Sequence, residues 1–340
     1  MTYKTNPTLH VLLLLSLALV LLMPRLAAQM DGAFTLRQND RDDRVNLNLQ
    51  LADGRSNQGR TFDRAEFSDA SRIGDRITFA LRRAAGNFTF EGRGTMERAS
   101  GSYDFAPNPD FRREMERLGF RDVEDKALFV LALDGLTVAN VKQLQGLVSD
   151  KLDTPQLVRL INHGAGLQYV QAMTDGGFKE LPSDEYRRAR DHGVSAEFAR
   201  DMAELGLKLP LDELVRMRDH GVSADYVRAM RTAGHKVGHE ELVRARDHGV
   251  SADFVQKMTA LGYGGLALSE YVRMRDHGVS PDYAEALRDA GLSNVSSGDL
   301  VRLRDHGITA SYVRRTKELF KETPSVEQII RLRTRGDVGR

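Results

Sequence analysis

The chain has 340 residues, of which 29% are charged and 41% hydrophobic, and its formal net charge is +1. This balance is typical of an ordinary globular protein and supplies no global field that would draw the chain onto nucleic acid. Cysteine is absent, which excludes disulfides, thiolate zinc sites and a cysteine nucleophile. We therefore expect a fold held together by packing alone, with no cofactor and no metal.

The first part of the sequence, residues 1–29, is typical of an export signal. A single lysine precedes an almost wholly apolar run from Leu9 to Met23, and Pro24 ends the run. Leu26-Ala27-Ala28 then offers small residues for cleavage near Ala28 or Gln29. Such a run suits the hydrophobic part of a signal peptide, about 7–15 residues, and is short for a membrane span of about 20. We predict export to the periplasm or the cell exterior, with an uncleaved membrane anchor as the alternative.

Residues 31–107 predict an antiparallel β-rich domain. Apolar residues alternate with polar ones, so that one face of each strand would be buried. Ala99-Ser100-Gly101 is predicted to be a turn, and Pro107-Asn108-Pro109 predicts the start of a helix at Asp110. The alternating positions are 45–51, 77–81, Phe88 with Phe90, and Tyr103 with Phe105.

Three near-adjacent acids, Asp40, Asp42 and Asp43, are the only candidates for chemistry in this segment. They suggest either a cation site or the residues of an unrecognised enzyme. They lack the spacing and the glycine of a calcium-binding loop. We therefore favour a solvated loop.

From residue 110 to 340 the sequence repeats itself. An Asp-His-Gly motif recurs, and its glycine stays in register every 28 or 29 residues at Gly135, Gly164, Gly193, Gly221, Gly249, Gly278, Gly307 and Gly336. This regularity predicts about seven two-helix repeats followed by a terminal helix. The predicted fold class is thus α-dominated, with a small antiparallel β-meander followed by an α-solenoid.

Each repeat is predicted to contain two short helices joined by a capped turn. The glycine would close the first helix in the left-handed conformation, and the histidine before it would lie at the negative end of the helix dipole. A serine or threonine two residues after the glycine would start the second helix. The predicted cap residues are His192, Gly193, Ser195, His220, Gly221, Ser223, His248, Gly249, Ser251, His277, Gly278, Ser280, His306, Gly307 and Thr309.

The array histidines have two alternative functions, metal binding and pH sensing. One histidine per repeat could bind metal or sense pH, but helix layers lie about 8–10 Å apart, too far for adjacent rings to share one zinc ion. His235 and His239 have i, i+4 spacing but flank a helix start and lack a third ligand. We expect both to be loop and surface residues.

An arginine also recurs once per repeat, immediately before the Asp-His-Gly motif, and a second arginine precedes it by two residues. The ladder consists of Arg190, Arg218, Arg246, Arg275, Arg304 and Arg333. One interpretation is a structural ladder in which these arginines pair with the motif aspartates of adjacent copies. The other is a basic stripe that binds an acidic protein surface or peptide. The sequence favours the first because an aspartate balances nearly every copy.

The repeat unit Leu-Val-Arg-x-Arg-Asp-His-Gly-Val-Ser resembles that of uncharacterised bacterial envelope proteins. A similar repeat occurs C-terminal to the peptidase domain of some membrane metallopeptidase sensors of the BlaR1 type. The resemblance extends from Tyr103 to the C-terminus and implies helical repeats in an envelope protein. The zinc-binding His-Glu-x-x-His helix of that family is absent from this sequence, so no catalytic residue carries over.

Together these features favour an exported, non-enzymatic protein-interaction scaffold that uses repeat and β-domain surfaces. A sensory or regulatory ectodomain that functions with a membrane peptidase or signalling protein is the first alternative. An enzyme with its site in the β-rich segment or at its junction with the repeats is the second. The expected partner is a protein, and nucleic acid is not expected.

Overall fold

The computed structural model describes residues 30–39, 43–52, 54, 56–236, 238–320 and 324–336. The predicted export signal, Asp40 and Asp42 lie outside these residues. The fold class is confirmed: an antiparallel sheet precedes two-helix repeats. The chain divides into two compact units. The first contains the residues up to Gln171 and the short segment Glu180–Asp184. The second contains Ala172–Lys179 and the residues from Glu185 onward.

The first unit contains a seven-stranded sheet in which all neighbouring strands are antiparallel. The hydrogen-bonded order is β3-β2-β1-β7-β6-β5-β4, so the first and last strands of the segment pair at its centre. The strands are β1 (Met30–Gln38), β2 (Arg44–Leu51), β3 (Asn57–Asp63), β4 (Phe67–Ile73), β5 (Arg76–Arg83), β6 (Gly86–Gly94) and β7 (Arg98–Pro107).

The sheet curls until its two edges approach. Strands β3 and β4 are at opposite ends of the order, yet only the 3-10 turn Arg64–Glu66 separates them in the chain. The rings of Phe62 and Phe67, one on each edge strand, are 5.6 Å apart. The enclosed face is rich in aromatic side chains, with Phe79 stacked on Phe90 at 4.5 Å.

The sheet has more strands than the sequence pattern predicts, because β1, β3 and β4 lack a recognised strand pattern. The predicted turn at Ala99-Ser100-Gly101 is wrong, because these residues lie within β7. Gly101 pairs with Gly92 on β6, and a Cβ on either would lie within 2.3 Å of a carbonyl oxygen of the facing strand. These glycines therefore permit close strand approach and do not form a turn.

Two helices follow the sheet in the same unit. Helix α1 (Pro109–Arg117) begins one residue before the predicted start, and the Asn108 side chain accepts a hydrogen bond from the Asp110 amide. Helix α2 (Asp125–Leu133) is buried on every side from residue 127 to residue 133. Its Phe129 ring packs against aromatic rings of β6 and β7, so α2 forms the core beneath the sheet.

No single helix in the described ranges has both the length and the apolar character needed to cross a membrane. Helix α2 and the next helix, α3 (Val138–Leu147), meet the length and composition criteria only as a pair, and the pair is bent by 88°.

The remaining helices alternate as the first and second members of successive repeats. They are α4 (Thr154–Asn162), α5 (Leu167–Asp175), α6 (Ser183–Asp191), α7 (Ala196–Glu204), α8 (Leu211–Asp219), α9 (Ala224–Thr232), α10 (His239–Asp247), α11 (Ala252–Met258), α12 (Leu268–Asp276), α13 (Pro281–Asp289), α14 (Ser297–Asp305), α15 (Ala310–Phe320) and α16 (Val326–Arg335). A π-helical turn, Thr259–Tyr263, extends α11.

The repeat register is visible in the backbone. All eight register glycines have φ between +63° and +76°, the left-handed region that closes a helix. Within the second unit, first helices contact first helices of the next copy and second helices contact second helices. Helices of about nine residues are marginal alone in water, so this stacking stabilises them by burying side chains such as Met217 and Met230.

Candidate interaction surface

The turn between the two helices has the same hydrogen bonds in every Asp-His-Gly copy. The amide of Val222, after the capping Gly221, donates to the Met217 carbonyl at 2.8 Å. The equivalent bond recurs at Val194, Val250, Val279 and Ile308. Ser223 Oγ then accepts from the Tyr226 amide at 3.1 Å, and the same bond starts the second helix at Ser195, Ser251, Ser280 and Thr309. Each copy thus presents its turn side chains in the same orientation.

The motif histidines connect one copy to the next. His220 occupies the C-cap of α8, and its Nδ1 lies 2.6 Å from Oδ1 of Asp247 in the following copy. The side chains of this pair are about two fifths exposed. The same contact, at 2.6–2.8 Å, joins His192 to Asp219, His248 to Asp276 and His277 to Asp305.

The ladder arginines pack on aromatic rings of the preceding copy. The Arg246 guanidinium lies 5.0 Å from the centroid of the Tyr226 ring, and its Nε donates to the Gly221 carbonyl at 3.1 Å. The stacking recurs at 4.9–5.3 Å for Arg218 on Phe198, Arg275 on Phe254, Arg304 on Tyr283 and Arg333 on Tyr312. Arg190 is exposed near the end of α6.

These contacts correct the interpretation of the ladder as arginine–aspartate pairs. In four copies the motif aspartate pairs with the histidine of the preceding copy. The arginine instead covers an aromatic face, and Arg246 also donates to a helix-end carbonyl. A planar guanidinium suits both contacts at once. The sequence contained a signal for this partner, since an aromatic residue stands three residues after each capping serine or threonine.

In two copies the same aromatic residue provides a further link. The Tyr226 hydroxyl donates to the Val250 carbonyl and the Tyr283 hydroxyl to the Ile308 carbonyl, each at 3.0 Å. Burial raises the pKa of both phenols to about 12, although Arg246 and Arg304 respectively oppose the shift. Both hydroxyls therefore remain protonated donors at any physiological pH.

We expect Arg246→Ala to lower the free energy of unfolding by about 1–2 kcal/mol, because it removes a cation–π contact and a hydrogen bond to a carbonyl. Arg244→Ala is the matched control, since Arg244 is on the same helix and exposed. That change should cost less than about 0.5 kcal/mol. Urea unfolding followed by far-ultraviolet circular dichroism measures both, and equal losses would contradict a specific role for Arg246.

The other two candidate histidines differ from each other. His235 is only 7% exposed, so its prediction as a surface residue is wrong. Its Nε2 has no hydrogen-bond partner, and its ring meets the Tyr271 ring edge to face at 5.4 Å. His239 is partly exposed, with Nε2 at 3.1 Å from Glu213.

Among the described residues, no group of three or more histidines or acids could hold a metal ion.

The β-rich segment and its junction with the first helices contain isolated acids. Asp43 is exposed and lies 3.5 Å from Arg64. Asp134 lines a cavity of about 280 Å³ with Asn140 and Tyr169, and its carboxylate lies 3.7 Å from Arg60. Burial raises the Asp134 pKa, and the Arg60 charge opposes the shift. No second carboxylate or histidine lines this cavity among the described residues, so a paired acid and base is not present there.

No protein-family model matches the chain, and no curated protein is significantly similar to it. Function is therefore inferred from the residues and their geometry.

Proposed function

We propose that this protein is an exported, non-enzymatic scaffold that binds other proteins through its repeat array and its β-rich domain. The observation that carries the proposal is the recurrence of the same inter-copy contacts: histidine to aspartate, and arginine to aromatic ring. Such contacts hold exposed charged side chains at fixed intervals. A surface ordered before binding loses less entropy when a partner docks.

The internal ladder arginines contribute mainly to the array itself. Their guanidiniums already contact aromatic rings, and in the case of Arg246 a carbonyl. A partner that used them would have to share or displace these contacts. We therefore assign them a structural role and place partner binding at positions where the repeat pattern changes.

Export to the bacterial envelope is the second part of the proposal. It rests on the apolar run in residues 1–29 and on the resemblance of the repeat to those of envelope proteins. The same resemblance supports a sensory or regulatory ectodomain that functions with a membrane peptidase as the second candidate function. Cell fractionation with N-terminal sequencing distinguishes the two candidate functions. A periplasmic protein from which residues 1–29 have been removed favours the scaffold. A membrane-bound protein that retains residues 1–29 favours the ectodomain.

In-cell photo-crosslinking tests the scaffold function. A photoreactive amino acid replaces Ser269, which is exposed on α12, or Ser71, which is exposed on β4. We expect at least one probe to capture a specific envelope protein, and excess purified chain to compete for it in membrane-free extracts. Absence of any competed product from both probes, together with turnover of a substrate by the purified chain, would overturn the proposal.

A further inference from the structure

The contact between α15 and α16 departs from the pattern of the other copies. Arg333 stacks on Tyr312 as its equivalents do, at 5.3 Å. The next two residues, however, are Thr334 and Arg335, where the other copies have the motif aspartate and histidine. The preceding histidine, His306, therefore has no carboxylate partner within the described part of the chain. We call the terminal notch the groove lined by Thr309, Tyr312, Arg315, Arg333, Thr334 and Arg335, together with His306, which precedes the lining residue Gly307 in the chain.

The terminal notch is strongly cationic. Arg315 reaches the same ring as Arg333, with its guanidinium 6.0 Å from the Tyr312 centroid, and Arg335 lies beside them. These residues line an open groove of about 650 Å³ that has no acidic side chain among its described lining residues. In the internal copies one aspartate stands beside each ladder arginine and offsets its charge.

The internal copies show which chemical group lies beside the motif histidine. In four of them a carboxylate oxygen lies 2.6–2.8 Å from the histidine Nδ1 of the preceding copy. At the terminal notch the same histidine is present, but Thr334 stands in place of the motif aspartate, and its hydroxyl donates to the Ile330 carbonyl at 2.8 Å. The planar, forked guanidinium groups of Arg315 and Arg335 also match carboxylate geometry.

We propose that the terminal notch binds a carboxylate of an acidic peptide segment in a partner protein, in the position that the motif aspartate occupies elsewhere in the array. The proposal rests on the scaffold function and specifies its partner chemistry. A carboxylate of a partner aspartate or glutamate would accept hydrogen bonds from the His306 ring and from the guanidinium groups of Arg315 and Arg335. The Tyr312 ring and its stacked arginines would form the wall against which the peptide packs.

The decisive variant is Thr334→Asp, which restores the internal pattern. Its carboxylate should pair with His306 and occupy the site from within the chain. Binding of a fluorescein-labelled peptide of alternating aspartate and glutamate, measured by fluorescence polarisation to the full chain, should weaken about ten-fold or more, the range expected for losing charge-assisted hydrogen bonds. The amide counterpart of the peptide, with asparagine and glutamine, should bind weakly to both proteins.

Ser269→Asp is the matched control, because it adds the same charge at an exposed position where other copies have an acid, such as Asp212 and Glu240. It should leave peptide affinity within about two-fold, since an exposed charge more than a Debye length of about 8 Å away is largely screened. Thr334→Val removes the hydroxyl without adding charge and should also retain binding. Circular dichroism confirms that each variant is folded.

Either of two outcomes would overturn the proposal: no binding of the acidic peptide to the unmodified chain, or equal loss of peptide affinity in Thr334→Asp and Ser269→Asp. Neither of these results bears on whether photo-crosslinking captures a partner, so failure of the notch and failure of the scaffold function are distinguishable.

Discussion

Phe129→Ala should lower the free energy of unfolding of the sheet-containing unit by about 3–5 kcal/mol, the range for truncating a buried phenylalanine. Phe129 is 1% exposed, and its ring lies 5.1 Å from Phe88 and 5.3 Å from Phe105. Through these ring contacts α2 packs on β6 and β7. Removing the ring leaves a cavity lined by aromatic side chains that cannot all move inward.

Hydrogen exchange measured by mass spectrometry is the appropriate readout, because the chain lacks tryptophan. Protection of amides in β6 and β7 should fall by several orders of magnitude if the unit unfolds cooperatively. Ile73→Ala is the control, since Ile73 belongs to the same sheet but is 80% exposed. It should leave protection in β6 and β7 almost unchanged, and a comparable loss in both variants would mean that Phe129 does not anchor the helix to the sheet.

The sequence predicted the repeat array better than the sheet, for a physical reason. Array signals are local: a glycine closes one helix and a serine two residues later starts the next, as Gly221 and Ser223 show. Strand β4 has no buried residue, so it lacks the apolar alternation by which strands are recognised. Pairing of β1 with β7 joins residues about seventy positions apart, and no local pattern encodes it.

The repeat spacing predicted which residues form the candidate surface, but it did not predict which of them contact each other. The spacing located Arg246, His220 and Asp247 in equivalent positions of successive copies. Which of them meet depends on the lateral offset between stacked helices, which one repeat alone does not determine. The offset places the histidine of one copy beside the aspartate of the next and leaves the arginine over the aromatic ring. The break in the pattern at Thr334 could have been noticed in the sequence, but its meaning required those contacts.

His235→Leu should stabilise the array by about 1–3 kcal/mol at neutral pH and by more in mild acid. His235 follows Gly234 and donates its amide to the Met230 carbonyl at 2.9 Å, in the position held by Leu207 and Leu292 after α7 and α13. In the native protein a buried ring nitrogen without a partner costs about 1–3 kcal/mol. Leucine removes that cost and fills the same apolar space.

The pH dependence has a definite sign. Burial lowers the His235 pKa below its ordinary value of 6.5, so on acidification the unfolded chain takes up a proton before the folded chain does. Stability is therefore complete above about pH 6.5 and falls as the pH drops toward the folded-state pKa. Urea unfolding at pH 7.5 and pH 5.0 should show a smaller difference between the two pH values for His235→Leu than for the unmodified chain.

The mirror change, Leu207→His, is the sharpest control, because it moves the same side chain to the equivalent buried site of another copy. It should lower stability at pH 7.5 and lower it further at pH 5.0. If His235→Leu left the pH dependence unchanged while Leu207→His increased it, the acid sensitivity of the native array would come from groups other than His235. If both changes acted as expected, one buried histidine in an otherwise apolar position would account for a measurable part of the acid sensitivity of the array.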